Sequence, residues 1–420
     1  MNANVNLGIA RVHLLSRKKQ TIIAILGVTF GISMFILMVS FMQGTNSFLQ
    51  DAMLSSTPDV HIYSGIKKDY STSIAEEYFK ADSNRLIIVH HPKPANTRKD
   101  LKNSNAIIND IRQNKDVVAV SPVLSTQVFF SYGTAQLNGI IDGVDIKEEK
   151  QVLNISGKMV EGNADNLSKS KDGMLMGKRL AENLNIHMGD IVNVTTGPGV
   201  MMRFHIIGIF QFGLGVVDNT KAIVNIAGTQ QLLGKGNAYV TDVHVKLKDI
   251  DNSKQLSVLF ANKYGYAADD WTTANASILA TVVARNVMTY VVSIGLLVVA
   301  GFGIYNIMNM TIINKLKDIA ILKAQGFNSR DISVIFLSQS IVIGLIGAIA
   351  GIMLGFVLSY IISRVPFPKS DLVSLKYFPV IFELKYYVFG VVFGIITSFI
   401  AGFMPSLKAS KSDPLAILRN

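Results

Sequence analysis

The chain has 420 residues, 49% of them hydrophobic, and a mean hydropathy of +0.36. Its net charge of +11 would suit a nucleic-acid-binding protein, yet residues 44–284 contain as many acidic as basic side chains. The positive excess lies in short segments beside the apolar runs, as in membrane proteins, so we exclude nucleic acid as a partner and expect membrane lipid. The absence of cysteine excludes thiol catalysis and cysteine metal sites.

Four apolar runs without Asp, Glu, Lys or Arg are each long enough to cross a bilayer as a helix. They are Thr21–Met42, Asn286–Ile312, Ile332–Ser363 and Tyr386–Met404. The first run is longer than the apolar core of a typical signal peptide, and no A-x-A cleavage site follows it. We therefore predict an α-helical membrane protein with four transmembrane helices (1 + 3) and a large α/β extracytoplasmic domain between the first and second.

The N-terminal segment is basic and has no acidic residue before the first run, which places it in the cytoplasm. The loop 364–385 is also basic, so the predicted orientation depends on the first helix. The predicted order is an amphipathic cytoplasmic segment (1–20), transmembrane helix 1 (21–43), a periplasmic domain (44–284), transmembrane helix 2 (285–313), a cytoplasmic loop (314–331), transmembrane helix 3 (332–363), an extracytoplasmic loop (364–385), transmembrane helix 4 (386–404) and a cytoplasmic tail (405–420).

Alternating apolar residues in the periplasmic domain predict strands with helices between them. We expect two lobes that divide near Lys147, with an irregular stretch at residues 65–100. The predicted elements of the first lobe are a helix at Leu101–Gln113 and strands at Val117–Val120, Val123–Tyr132 and Ala135–Val144. Those of the second include a hairpin around residues 196–199, a strand at Thr241–Leu247 and a helix at Asn252–Tyr264.

Several kinds of functional site are absent from the sequence. No apolar run contains Asp, Glu, Lys, Arg or His, which disfavours an ion-coupled transporter. The segment Gly173–Lys178 is one residue shorter than a phosphate-binding loop, and Arg179 replaces the required Ser or Thr. His90-His91 is the only histidine pair and has no acidic cluster beside it, so we expect a solvated loop there. We predict no catalytic, cofactor or metal site in this chain.

Small residues recur at fourfold spacing in the third and fourth runs, where they would let helix backbones approach closely. They are Gly347, Gly351 and Gly355 in the third run, and Gly390, Gly394, Ser398 and Gly402 in the fourth. Two interpretations stay open: a helix that slides or tilts against its neighbour, and static packing.

The loop 314–331 predicts a short amphipathic helix between two spans, because Ile319, Leu322 and Phe327 form an apolar stripe with lysines around it. Gly326 suits the end of this helix, and Asn328 can cap the next one. Such a helix can sit in a groove of a partner, although an ordinary interfacial loop is the alternative.

The segment Asp318–Ala324, followed by Gly326, resembles the coupling-helix region of ABC-transporter permeases of the MacB/FtsX superfamily, and most closely the lipoprotein-releasing LolC/LolE branch. Further blocks resemble the same superfamily in the same order along nearly the whole chain. They are Val117–Pro122, Gly143–Asp145, Gly177–Ala181 with Gly189-Asp190, Ile206–Phe210 with Asp218, Asp270-Trp271, and Asp413–Arg419.

The resemblance implies that two permease protomers pair, as a homodimer or a LolC/LolE-like heterodimer, in the bacterial inner membrane. It also implies that this chain is not an enzyme and holds no cofactor, because ATP and Mg belong to a separate cytoplasmic ABC ATPase. Closure of the ATPase would push the coupling helix, with Leu322 and Phe327 in an apolar groove, and spans 1 and 2 would relay the motion outwards. The expected coupling residues are Lys317, Asp318, Ile319, Leu322, Lys323, Gly326 and Phe327.

Two functions remain open. The first is extraction of lipoproteins from the inner membrane for outer-membrane sorting, and the second is MacB-type export of peptides, toxins or drugs with a periplasmic adaptor. LolC-type permeases carry an extended hairpin, the hook, that recruits a periplasmic chaperone. This chain has only a short hairpin at residues 195–202, so the sequence does not decide whether a chaperone docks, or which substrate is moved.

Overall fold

A computed structural model of the chain describes residues 3–16, 18–65, 99–368, 373 and 375–411. Three segments discussed above lie outside these residues. They are the predicted irregular stretch at residues 65–100 except for its ends, the pair His90-His91, and the C-terminal block Asp413–Arg419. The chain divides into two compact units. We call them the membrane unit (Met1–Phe48, Ala280–Phe367 and Lys376–Asn420) and the sheet unit (Leu49–Leu279 and Pro368–Leu375).

Four helices of the described chain are long and apolar enough to cross a membrane. We call them span 1 (Lys18–Ser56), span 2 (Ala276–Asn314), span 3 (Ser329–Ser363) and span 4 (Leu384–Ser410). Each contains one predicted apolar run, and the α/β sheet unit lies in sequence between the first and second, so the predicted fold class is confirmed. Spans 1 and 2 continue past their apolar runs, to Ser56 and back to Ala276, because the neighbouring polar residues contain no proline or glycine cluster that would end a helix.

The sheet unit is built on a 10-stranded sheet. Its strands are β1 (Val60–Tyr63), β2 (Val117–Tyr132), β3 (Ala135–Val144), β4 (Met159–Gly162), β5 (Gly173–Gly177), β6 (Ile191–Thr196), β7 (Met201–Phe210), β8 (Lys221–Asn225), β9 (Asp242–Leu247) and β10 (Ala267–Asp270). The order is β10-β1-β9-β2-β3-β8-β5-β7-β4, with β6 paired to β2 and β7. Pairs β3–β8 and β5–β7 are parallel, and the other pairs are antiparallel.

Two features of the sheet differ from the sequence prediction. β2 is one continuous strand that includes Pro122, whereas we predicted two separate strands there. Pairing with β3 begins only at Val123, so the sheet tolerates the missing N–H of the proline. The sheet does not divide near Lys147, because β9, from the predicted second lobe, lies between β1 and β2.

Helices cover this sheet through their apolar sides. The helix Ser104–Arg112 buries Ile111, and the helix Ser253–Tyr264 buries Phe260, in one core with β1 and β9. The remaining helices of the sheet unit are Ile146–Val152, Lys178–Leu184, Gly215–Asp218, Ile226–Leu232 and Trp271–Ala274.

Buried ionisable side chains of the sheet unit lie in pairs, and in three of the pairs one partner is half-buried. Asp242, His244 and Lys246 alternate along β9 and therefore point to the same face of the sheet. The closest pairs are His61–Asp242 (2.7 Å), His244–Glu149 (2.8 Å), Lys246–Asp59 (2.8 Å) and, on β8 and β3, Lys221–Asp142 (2.7 Å). Pairing offsets the cost of burying each charge, which would otherwise be several kcal/mol.

Candidate coupling site

The loop between spans 2 and 3 forms the predicted helix, at Leu316–Ala324, which we call the loop helix. Lys315 Nζ contacts Asp318 Oδ2 at 2.6 Å across its first turn, and an acidic side chain there is favoured by the helix dipole. Span 3 then begins with a capping box, in which the Asn328 N–H donates to Asp331 Oδ2 at 3.1 Å. The loop helix is thus held by local interactions at its start and separated cleanly from span 3.

Gly326 ends the loop helix in the left-handed conformation, with a φ of 94° that favours glycine. The Phe327 N–H donates to the Leu322 carbonyl at 3.1 Å, and the Gly326 N–H donates to the Lys323 carbonyl at 3.0 Å. This pair of bonds is a Schellman motif, which reverses the chain sharply towards span 3.

The apolar stripe of the loop helix packs against the protein's own spans. Ile319 and Ala320 are fully buried, and Leu322 and Phe327 are partly buried against the same core. That core also contains residues from the ends of spans 2, 3 and 4, namely Ile312, Ile332, Ile335, Phe336 and Ala409. The stripe that we predicted to enter a partner's groove thus contacts the protein's own spans, while Leu322 and Phe327 stay partly exposed.

The opposite side of the loop helix is exposed. Lys317, Ala324 and Gln325 are exposed, and Ile321 keeps 49% of its surface accessible. Spacings of three and four residues put these side chains on one face. Lys323 is not part of this face, because its Nζ donates to the Ser410 carbonyl, at the end of span 4, at 2.7 Å. Sequence reasoning missed Ile321, although its spacing of four residues from Lys317 and Gln325 was a usable signal.

The N-terminal helix Ala3–Ser16 joins the same core. Ala10 is 2% exposed, and His13 Nδ1 lies 3.2 Å from Nε2 of Gln339 in span 3. Val12, on the same helix, is 65% exposed. The helix therefore has a protein-facing side around Ala10 and His13 and a different, exposed apolar side.

The glycines of span 3 lie against span 1. A Cβ atom added to Gly347 would lie 2.7 Å from Cβ of Val28, and one added to Gly351 would lie 2.9 Å from Cβ of Ile32. Gly355 meets Ile36 in the same way at 3.1 Å. Only glycine lets the two backbones approach this closely.

The glycines of span 4 contact the same region. An added Cβ at Gly394 would lie 2.4 Å from Cδ1 of Ile32, one at Gly390 would lie 3.5 Å from Ile32, and one at Gly402 would lie 2.1 Å from Oγ of Ser340 in span 3. Ile32 is fully buried between the two glycine stripes. Both stripes are therefore occupied by helices of this chain.

The described residues contain no group of three or more His, Asp or Glu side chains that could hold a metal ion. The segment Gly173–Lys178 is strand β5 running into the helix Lys178–Leu184 rather than a phosphate-binding loop.

Two family models match the chain. The MacB-like periplasmic core domain covers residues 21–260, and the FtsX-like permease C-terminal domain covers residues 290–414. The chain belongs to the MacB/FtsX permease superfamily. The predicted resemblance is confirmed, and in this permease the loop helix lies within the FtsX-like domain.

Individual relatives resemble the permease along most of its length. The lipoprotein-releasing system transmembrane protein LolC of Neisseria meningitidis is 24% identical over 95% of this chain and 94% of its own. A probable export ATP-binding/permease protein of Pseudomonas fluorescens is 21% identical over 97% of this chain and 59% of its own. The solved periplasmic region of MacB from Actinobacillus actinomycetemcomitans is 12% identical, with a TM-score of 0.34 over 55% of this chain and 97% of that one.

Proposed function

We propose that this permease is the membrane subunit of an ABC transporter that extracts lipoproteins from the bacterial inner membrane for outer-membrane sorting. The similarity to LolC along nearly the whole chain is the observation that supports lipoproteins as the substrate class. The export relative is named as an ATP-binding/permease protein, which supports an ATP-driven transporter.

In this proposal the exposed face of the loop helix is the contact with the ATPase. Ile321 enters an apolar groove of the ATPase, and Lys317 faces its acidic groups. Because Ile319 is anchored in the core and Lys323 is bonded to Ser410, displacement of the helix moves the ends of spans 2, 3 and 4. The membrane unit would then shift between two packed states, as coupling requires.

The assembly would contain a second permease protomer, as a homodimer or a LolC/LolE-like heterodimer, and two ATPase subunits. The sheet unit would lie in the periplasm, where it would meet the lipoprotein and a chaperone or adaptor. ATP and Mg would bind to the ATPase alone.

Export of peptides, toxins or drugs is the second candidate, and the hairpin β6–β7 favours it. Its loop is short and closed, because the Thr196 N–H donates to the Val200 carbonyl at 2.9 Å. A hook that captures a chaperone is an extended hairpin, whereas this one returns directly into the sheet. An exporter needs no such hook.

The coupling contact is tested by Ile321→Asp in a membrane preparation that contains the permease and its ATPase. We expect co-purification of the ATPase to fall by about tenfold or more, since a charge placed in a central interface contact typically costs at least 2 kcal/mol. Ile191→Asp is the matched control, because Ile191 has nearly the same exposure, 46%, but lies on β6 of the sheet unit. Equal ATPase recovery from the two variants, with transport unchanged, would rule out the loop helix as the coupling element.

The substrate class is tested with permease and ATPase in proteoliposomes. We expect ATP to transfer a triacylated lipoprotein from the bilayer to a periplasmic lipoprotein chaperone supplied in solution, because three acyl chains are not soluble in water without a carrier. ATP-driven movement of a soluble peptide, with no lipoprotein released, would establish the export function instead.

A further inference from the structure

Two short connections join the sheet to spans 1 and 2. The inbound connection, Thr57–Asp59, links span 1 to β1, and the outbound connection, Trp271–Asn275, links β10 to span 2. β1 and β10 are antiparallel neighbours, and Val60 lies opposite Asp270. The two connections therefore meet at one end of the same pair of strands.

Asp59 ties the inbound connection to its surroundings from a site that is 1% exposed. Its Oδ1 accepts from Lys246 Nζ at 2.8 Å, and its Oδ2 accepts from the Leu247 N–H at 2.8 Å, both on β9. Its backbone carbonyl accepts from the Trp271 N–H at 3.1 Å. One buried residue thus links the inbound connection to β9 and to the outbound connection.

Asn275 makes the reciprocal link and is 7% exposed. Its Nδ2 donates to Oγ1 of Thr57 at 3.2 Å and to the Trp271 carbonyl at 2.9 Å. The Thr57 N–H in turn donates to the Met53 carbonyl, in the last turn of span 1, at 2.9 Å. Asn275 therefore bridges the last turn of span 1 to the start of span 2.

We propose that Asp59 and Asn275 are positioning residues that clamp the two connections together, so that displacement of either span is delivered to β1 and β10. Irregular chain without cross-links would absorb such a displacement, whereas buried, fully bonded polar groups resist separation. The proposal rests on the proposed function for its role in transport, but the clamp itself is a property of this chain alone.

Hydrogen exchange of the full chain in detergent tests the clamp without any partner. Asp59→Asn removes the charge that pairs with Lys246, and we expect amide exchange at residues 271–279 to become about tenfold faster because local opening is easier. Asp142→Asn is the matched control, since Asp142 is also buried and pairs with Lys221 at 2.7 Å, but on β3 and β8. Unchanged exchange at residues 271–279 in Asp59→Asn, or the same acceleration in Asp142→Asn, would overturn the clamp.

Proteoliposomes with the ATPase test its role in transport. We expect Asp59→Asn and Asn275→Ala to lower the substrate released per ATP hydrolysed by about fivefold or more, with ATPase binding unchanged, and Asp142→Asn to leave this ratio at the wild-type value. A ratio that falls equally in all three variants would show that Asp59 is merely structural. Absence of ATP-driven release by the wild type would contradict the proposed function, while the exchange result would still decide the clamp.

Discussion

Burial and pairing shift the pKa values of individual side chains in the sheet unit in opposite directions. Burial works to lower the pKa of His244, but the Glu149 carboxylate at 2.8 Å raises that pKa above its ordinary value of 6.5. Burial works to raise the pKa of Asp242, but the bond to His61 holds it below the ordinary value. In both cases the partner outweighs desolvation and favours the charged form.

The His244–Glu149 pair predicts a stability that depends on pH. Because the pKa of His244 is raised on folding, its contribution is fully present below about pH 6.5 and is lost as pH rises through the folded value. We expect the free energy of unfolding to fall as pH rises above about 6.5 and through the folded pKa of His244. Fluorescence of the only tryptophan, Trp271, during thermal unfolding of the full chain measures this.

His244→Gln and Glu149→Gln are the matched variants for this prediction, since each removes one partner of the pair. In both variants the free energy of unfolding should change less as pH rises above about 6.5. Asp242, whose pKa is lowered, contributes stability that is lost only as pH falls through its folded value, so it cannot produce the same slope. The assignment of the pH dependence to the His244–Glu149 pair would be refuted if the stability of the wild type did not change with pH in this range. It would also be refuted if the same change remained in His244→Gln.

At the scale of elements, span 1 is held between the glycine stripes of spans 3 and 4. Val28, Ile32 and Ile36 present branched side chains at the positions where Gly347, Gly351 and Gly355 leave room. This complementarity replaces the hydrophobic driving force that is missing between helices in lipid.

Gly351→Ala should therefore destabilise the membrane unit. The added Cβ would lie 2.9 Å from Cβ of Ile32 and 3.1 Å from the Thr29 carbonyl oxygen, and neither atom can move freely. Overpacking of this kind costs about 1–3 kcal/mol. The measurement is the thermal midpoint in detergent, with Gly303→Ala in span 2 as the control, because nothing lies within 4 Å of a Cβ at that glycine. Equal midpoints for the two variants would contradict the packing argument.

For the whole molecule, the positive-inside argument predicts the sheet unit outside the cytoplasm and the loop helix inside. The chain has no cysteine, so single cysteines can report on each side. Lys169 and Gln325 are suitable positions because both are exposed, whereas Lys323 is bonded to Ser410.

We expect an impermeant maleimide to label Lys169→Cys in intact spheroplasts and to leave Gln325→Cys unlabelled until the cells are lysed. The membrane excludes the charged reagent, so labelling reports the side of each residue. Labelling of Gln325→Cys in intact spheroplasts would show that the topology is the reverse of the predicted one.

Features that depend only on neighbouring residues could be predicted from the sequence. The apolar runs predicted all four spans, since length and composition alone decide whether a helix can cross a bilayer. Gly326 and Asn328 marked the end of the loop helix and the start of span 3, because capping is a local interaction.

The residues that each face contacts follow from packing between distant parts of the chain. Ile319 and Ile321 are alike in sequence, yet Ile319 is fully buried against spans 2, 3 and 4 while Ile321 is exposed. β9 lies between β1 and β2 through pairings that are distant along the chain. Asp59 meets Lys246 only because of that strand order. Such contacts depend on long-range packing, which no local pattern of residues specifies.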